Sequence, residues 1–433
     1  MRILAALLLS ALAACAQAPS AREAAASTGT LVLRGATLVD PVSRTARPGT
    51  LVIQGGKVAA KLPSGEAGPE GARVVDLSGR FILPGMVDLH VHSWGNPSPV
   101  EGGAIDEPGH AGALRRMLQA GVTAILDLGS DPGVIFPLRD RQRADPDAVP
   151  GARLFAAGPV LGFRMKTPEE ARTRVRELAS RKPDVVKLMH DHVMRPLTSG
   201  MSEATLGAAI DEARRAGLKT VVHIGTWNDA RQAVLAGARA ITHLHDSERI
   251  PLDLARLMKE KGAVSIPTMA VQGDLYRIRR DPSLLERPLL VRLTPPELRA
   301  DYRKPDPELT DRCTRWLVWQ KAYIPIDYDS IKRLRSAGVE LLAGSDSGNL
   351  GTFQGFSLHR EIQILAEAGL TKWEALASAT TAAAAFLGLH YGFEPGSEAD
   401  FAILAASPLE DLRNTETVEA VVLRGRLTNA ERP

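Results

Sequence analysis

Met86-Val87-Asp88-Leu89-His90-Val91-His92 is a short apolar strand ending in two histidines, and the rest of the chain is read outward from it. Residues two apart in a strand face the same side, so His90 and His92 project together from its C-terminal end. Two imidazoles so placed can grip one metal ion, and imidazole suits zinc and related cations. Alone, His-x-His is more often structural than ligating. It gains weight only if further ligands stand at other strand ends.

Beyond this strand, short apolar strands alternate with helical stretches, the pattern of β/α units around a parallel sheet. Eight strands are predicted: Met86 to His92, Val122 to Leu128, Arg153 to Leu161, Asp184 to Met189, Lys219 to Ile224, Ala240 to His245, Ala263 to Met269 and Glu340 to Ser345. The clearest helices are Glu169 to Arg181, Ser202 to Ala216, Asn228 to Ala236, Leu252 to Lys261 and Thr371 to Leu387. Ser202 and Thr371 stand where N-caps belong, and Gly217, Gly237 and Gly262 where helices end. The chain is therefore expected to be α/β, with a (β/α)8 TIM-type barrel over residues 85–388 and reactive groups at the C-terminal strand ends. Residues 270–335 break the rhythm and carry Tyr276, Tyr302, Trp316, Trp319, Tyr323 and many arginines. They read equally as a substrate-selecting lid and as a peripheral insertion that only packs.

The flanks have another texture. Leu31 to Arg34, Thr37 to Val39, Thr50 to Ile53, Lys57 to Ala60 and Arg73 to Asp76 alternate as short strands, and Ala399 to Leu404 and Val418 to Leu423 repeat the pattern. Residues 29–84 and 389–433 are thus expected to form one small β-sandwich built from both chain ends.

Seven of ten histidines fall at or near the ends of four predicted strands: His90 and His92, His190 and His192, His223, and His243 and His245. Lys187 lies within Asp184-Val185-Val186-Lys187-Leu188-Met189, an apolar strand that a barrel would bury. A buried charged amine is costly unless paired, neutralised or modified. Reaction with carbon dioxide would make it a carbamate able to bridge two cations; the plainer alternative is a strand-end lysine paired with a carboxylate. His223 and His243, each taken alone, read as hydrogen-bonded core histidines, and Asp346 as a turn residue or N-cap.

In order, His-x-His, Lys, His, His and Asp resemble the ligand series of the amidohydrolase superfamily. The likeness continues through Leu83-Pro84-Gly85, Gly121-Val122-Thr123, Gly344-Ser345-Asp346, Leu358-His359-Arg360-Glu361, Ala379-Thr380-Thr381, Pro395-Gly396-Ser397-Glu398-Ala399-Asp400 and Val421-Val422-Leu423-Arg424-Gly425. The branch it resembles is the imidazolonepropionase-related and prolidase-like (Xaa-Pro dipeptidase) group. The resemblance implies a binuclear hydrolase of an amide or other C–N bond, in a dipeptide or N-acyl amino acid. It places one divalent ion, zinc by preference, on His90, His92 and Asp346 and a second on His223 and His243, bridged by N6-carboxylated Lys187. Such a pair would turn a bridging water into hydroxide and polarise the substrate carbonyl. Asp346 would shuttle the proton to the leaving amine, with His223 or His243 assisting.

Two departures leave the substrate open. Leu188-Met189-His190-Asp191-His192 replaces the Gly-rich continuation of dipeptide-cleaving relatives, and Ile224-Gly225-Thr226 lacks an aromatic residue expected near a substrate carboxylate. His190, His192, His245 and Trp94 are candidate pocket residues, while His110 and His359 fall in helical segments and read as structural. The ligand set also suits a mononuclear cyclic-amide hydrolase with Lys187 unmodified, or a lactonase or phosphotriesterase. A surface lipoprotein using the fold as a binding scaffold is the non-enzyme alternative, and the completeness of the ligand set argues against it.

Residues 1–15 read as a lipoprotein signal peptide: Arg2, the apolar run Ile3 to Leu9, and Leu12-Ala13-Ala14-Cys15, which resembles the bacterial lipobox. Acyl chains on Cys15 would anchor the chain to a membrane surface, with residues 16–28 as a flexible tether. Ala16, in place of Asp, favours the outer membrane facing the periplasm. Cys313 is the only other cysteine, so no disulfide is expected. A hydrophobic content of 44% supports a large core, and a net charge of +3 spread along the chain gives no basic run for nucleic acid. The expected partner is a small-molecule substrate, with homo-oligomerisation left open.

Overall fold

The computed structural model describes residues 29–100, 109–162, 165–193, 201–244 and 247–429; Cys15 and His245 lie outside these. β1 (Leu31–Asp40), β2 (Thr45–Gln54), β3 (Lys57–Pro63), β4 (Arg73–Asp76) and β5 (Phe81–Pro84) come first. β6 (Met86–Val91), β7 (Val122–Asp127), β8 (Arg153–Ala156), β9 (Val186–His190), β10 (Thr220–Ile224), β11 (Ala240–Thr242) and β12 (Val264–Ile266) run through the middle. β13 (Phe401–Leu404), β14 (Val418–Leu423) and β15 (Arg426–Asn429) close the chain.

The two chain ends meet in one eight-stranded sheet, ordered β15-β14-β13-β5-β1-β2-β3 with β4 beside β1. Its core includes Leu33, Leu51, Ile53, Ile82, Phe401 and Val422. The flanks thus combine as expected, but within a single hydrogen-bonded sheet where a two-sheet sandwich was anticipated. The cause is the long β1, whose bulge between Leu33 and Ala36 lets its first half pair with β4 and its second half with β5.

The middle strands form two parallel sheets, β6-β7-β8 and β12-β11-β10-β9. Single bridges extend them: Leu161 to Leu188, Ser265 to Leu341 and Val91 to Ser347. Seven strands and these bridges therefore stand where one continuous eight-stranded barrel was expected. The eighth strand, Glu340 to Ser345, fails as a ladder because its amides bond elsewhere: Ala343 N to Ser378 O (2.9 Å) and Ser345 N to the Asp88 carboxylate (2.9 Å). β11 and β12 stop early for another reason. Left-handed backbone at His243 (φ 68°) and Thr268 (φ 56°) turns the chain off each ladder.

Helices pack outside these strands. Ser202 caps Glu203–Arg215 by accepting from Thr205 N, and left-handed Gly237 and Gly262 end Trp227–Ala236 and Leu252–Lys261. The helix expected over Thr371 to Leu387 is split into Lys372–Ser378 and Thr381–Phe386. The carbonyls of Ser378 and Ala379 are diverted to Ala343 N and Val87 N, which breaks the helical ladder and fastens it to the strands. Residues 270–335 are largely helical: Asp274–Arg280, Pro288–Leu293, Pro296–Asp301 and most of Asp311–Ser336.

Candidate metal centre

Four strands, β6, β9, β10 and β11, and the segment after Leu341 bring the predicted ligands to one cavity of about 530 Å³, which His90, His92, Lys187, His223, His243 and Asp346 all line. His90 Nε2 lies 3.4 Å and His92 Nε2 3.2 Å from Asp346 Oδ1. Lys187 Nζ is 3.3 Å from His90 Nε2, and His243 Nδ1 is 4.0 Å from Asp346 Oδ2. The His223 and His243 rings are 4.4 Å apart, centre to centre.

Polar groups behind the ligands fix their orientation. His90 Nδ1 meets Thr242 Oγ1 at 2.7 Å, which leaves Nε2 facing Asp346. Thr268 Oγ1 donates to Pro267 O and so accepts from His243 Nδ1 at 2.7 Å, leaving His243 Nε2 bare. Beneath them Asp88 is fully buried and accepts from His90 N, Ser345 N and Ser345 Oγ, tying the first ligand strand to the Asp346 segment. Burial pushes its carboxyl up to about 7 against the pull of those bonds. Asp346 itself has φ 54°, a costly conformation for a non-glycine residue that concentrates at functional sites.

Burial sets the protonation states. It holds His90 and His243 well below the usual imidazole range, with Lys187 the next contributor at His90. His223 is lowered by burial, partly opposed by its hydrogen bond to Asp191. Lys187, only 2% exposed, is pushed down to about 7 by burial, with Asp346 pulling the other way. The cavity thus offers neutral imidazole lone pairs from His90 and His243, an amine about half neutral near pH 7, and the Asp346 side chain. Donors about 2.0–2.1 Å from a tetrahedral zinc stand roughly 3.3–3.4 Å apart. The separations of 3.2 and 3.4 Å from Asp346 to His92 and His90 match that spacing, so the donor set fits a divalent cation.

The structure also adds and removes residues. Asp191, 2% exposed, lines the cavity with Oδ2 3.1 Å from His223 Nε2. Strand alternation could have found it, since Lys187, Met189 and Asp191 share one parity and all line the cavity. His190 and His192 have the opposite parity and turn away. His190 Nε2 bonds Gln232 Oε1 at 2.8 Å, and His192 Nδ1 bonds Asp229 Oδ1, beside a separate hollow. Trp94 stacks on the His92 ring at 4.5 Å and donates to Gly348 O, bracing that ligand outside the cavity lining. His359 is buried between Thr415 Oγ1 and Ala120 O, a structural role. From the insertion, Arg312, Arg315, Trp316 and Trp319 line the same cavity.

The sequence model of the Amidohydrolase family matches residues 81–428. An uncharacterised protein of Mycobacterium tuberculosis (strain ATCC 25618 / H37Rv) is 26% identical over 362 residues, covering 80% of this chain and 85% of that protein. A dihydroorotase of Anaeromyxobacter sp. (strain K) is 27% identical over 268 residues, 58% of this chain and 56% of its own. Among solved structures, a prolidase complexed with N-methylphosphonate-L-proline is 25% identical with a TM-score of 0.69, covering 93% of this chain and 100% of that one. The match runs from β5 through the cavity to the closing strands, so the chain belongs to the amidohydrolase family of metal-dependent hydrolases acting on C–N bonds.

Proposed function

We propose that the chain is a binuclear hydrolase of an amide or other C–N bond in a small molecule. The observation that carries the reading is buried Lys187, its amine brought down to about 7 and 3.3 Å from His90 Nε2 among the other donors. His90, His92 and Asp346 would hold one divalent ion, zinc by preference, and His223 and His243 the other. When bound, the ions would supply Lewis-acid polarisation of the substrate carbonyl and a more acidic water. Lys187 as the free amine adds to carbon dioxide, forming an N–C bond and releasing one proton, and the resulting carbamate gives a bidentate anion between the two sets of histidines. Asp346, steadied by Asn349 Nδ2 at 2.9 Å from its Oδ1, takes a proton from the attacking water and delivers it to the leaving nitrogen.

Zinc-loaded protein should then hold about two ions per chain, and Lys187→Ala about one, with turnover lost. Near-normal turnover in that variant overturns the reading. A second reading has its own observation: His90, His243 and Asp346 offer ligand atoms all within 4.8 Å of one another, while His223 is engaged by Asp191. That grouping favours one ion and an unmodified Lys187, and a wild-type ratio near one selects it. The prolidase and dihydroorotase likenesses set the substrate screen: dipeptides and N-acyl amino acids against cyclic amides, with lactones and phosphotriesters as further arms. The N-terminal motif adds the proposal that Cys15 is acylated and the enzyme faces the periplasm from the outer membrane. Loss of membrane fractionation in Cys15→Ala tests it.

A further inference from the structure

We infer that one face of helix Asp311–Ser336 forms a subsite for a carboxylate next to an aromatic group, so the preferred substrates are N-acyl aromatic amino acids. This rests on the C–N hydrolase reading above. Arg312, Arg315, Trp316 and Trp319 are spaced i, i+3, i+4 and i+7, which puts them on a single helical face, and all four line the cavity that holds the ligand cluster. A helix face facing the core would be apolar, yet this one presents two guanidinium groups and two indoles to the cavity. Arg312 and Arg315 are both exposed, and neither has a carboxylate partner among the described residues. Elsewhere on the same helix the arginines are engaged: Arg333 donates to Ile250 O and Arg335 to Glu374.

The Arg312 guanidinium sits over the Trp316 ring at 5.5 Å, and Trp319 is 37% exposed. This pairs a cation with flat apolar surface, the two features that an aromatic carboxylate would occupy together. The negative groups of the cavity, Asp191 and Asp346, come from the strand ends, where the proposed ions and His223 engage them. The guanidinium groups and the ligand cluster thus come from different elements, so a carboxylate held by the helix leaves the scissile amide to face the cluster. A cavity of about 530 Å³ has room for such a molecule, since pockets for drug-sized ligands run about 300–1,000 Å³.

The test compares N-benzoyl-L-phenylalanine with N-benzoylphenethylamine, which has the same scissile amide and lacks only the carboxylate. Wild type should favour the acid by about 10–100-fold in kcat/KM, chiefly through KM, and Arg312→Met/Arg315→Met should bring that ratio toward one. Arg315→Lys should restore part of the preference in the Arg312 wild-type background. Tryptophan fluorescence on titration with N-benzoyl-L-phenylalanine reads binding without turnover. Quenching in wild type that is lost in the double variant supports the subsite even if no amide is cleaved, a result that would count only against the C–N reading. A wild type with no preference and no quenching, or a double variant that keeps both, overturns the subsite.

Discussion

At pH 7 about half of Lys187 is the neutral amine, because burial has brought its pKa from 10.5 to about 7; an exposed lysine would be neutral to less than about one part in a thousand. Only the neutral form attacks carbon dioxide. Uptake of ¹³C-bicarbonate as a carbamate signal on the metal-free protein should therefore rise as pH increases through 7, and fall away toward pH 6. A half-point near 10 would show an ordinary lysine and remove the basis for a bridging carbamate. The six residues that converge on the cavity could be picked out of the sequence because their order is distinctive. Asp191 could not be seen so easily. It sits between two histidines that drew attention by type, and only the parity of β9 separates the residue facing the cavity from the two facing Gln232 and Asp229.

Between β10 and the helix Trp227–Ala236, Gly225 is placed so that a Cβ would come within 2.1 Å of Asp191 Oδ1. The backbone there is also pinned, since Thr226 and Asp229 form a capping box and Gly225 N reaches the Asp229 carboxylate. Asp191 must therefore be the group that moves. Gly225→Ala should push its carboxylate off His223 and lower metal affinity or kcat/KM by about 10–100-fold. Unchanged zinc content and kinetics would show that the Asp191–His223 contact is dispensable. Element boundaries were less legible than element types for a related reason. Ser378, Ala379, Ala343 and Ser345 each send a backbone group to a distant partner, which reduced the expected eighth strand to a single bridge at Leu341 and split the expected last helix. Such bonds leave no trace in local periodicity. The role of residues 270–335 was equally hidden, because the face made by Arg312, Arg315, Trp316 and Trp319 has meaning only once the cavity is known to lie against it.

Across the whole molecule, the sheet that joins the chain ends is completed by β13, which lies between β14 and β5 and faces Phe81 to Pro84 residue by residue. A chain ending at residue 398 would leave the β5 edge open and uncover Ile82 and its apolar neighbours. It should be recovered mainly as aggregate. A soluble, monodisperse product with native melting by size exclusion and thermal denaturation would show the terminal sheet to be independent of its last three strands.

β5 also runs through the single residue Gly85 into β6, the strand that carries His90. More than 300 residues are made between β5 and its partner β13. At about 5–20 residues per second, the β5 edge waits roughly 15–60 s on the ribosome. The anchorage of the strand that carries His90 is thus among the last events of synthesis. A chain that stops before β13 can carry all six of these cavity residues and still lack the sheet that supports the strand bearing His90.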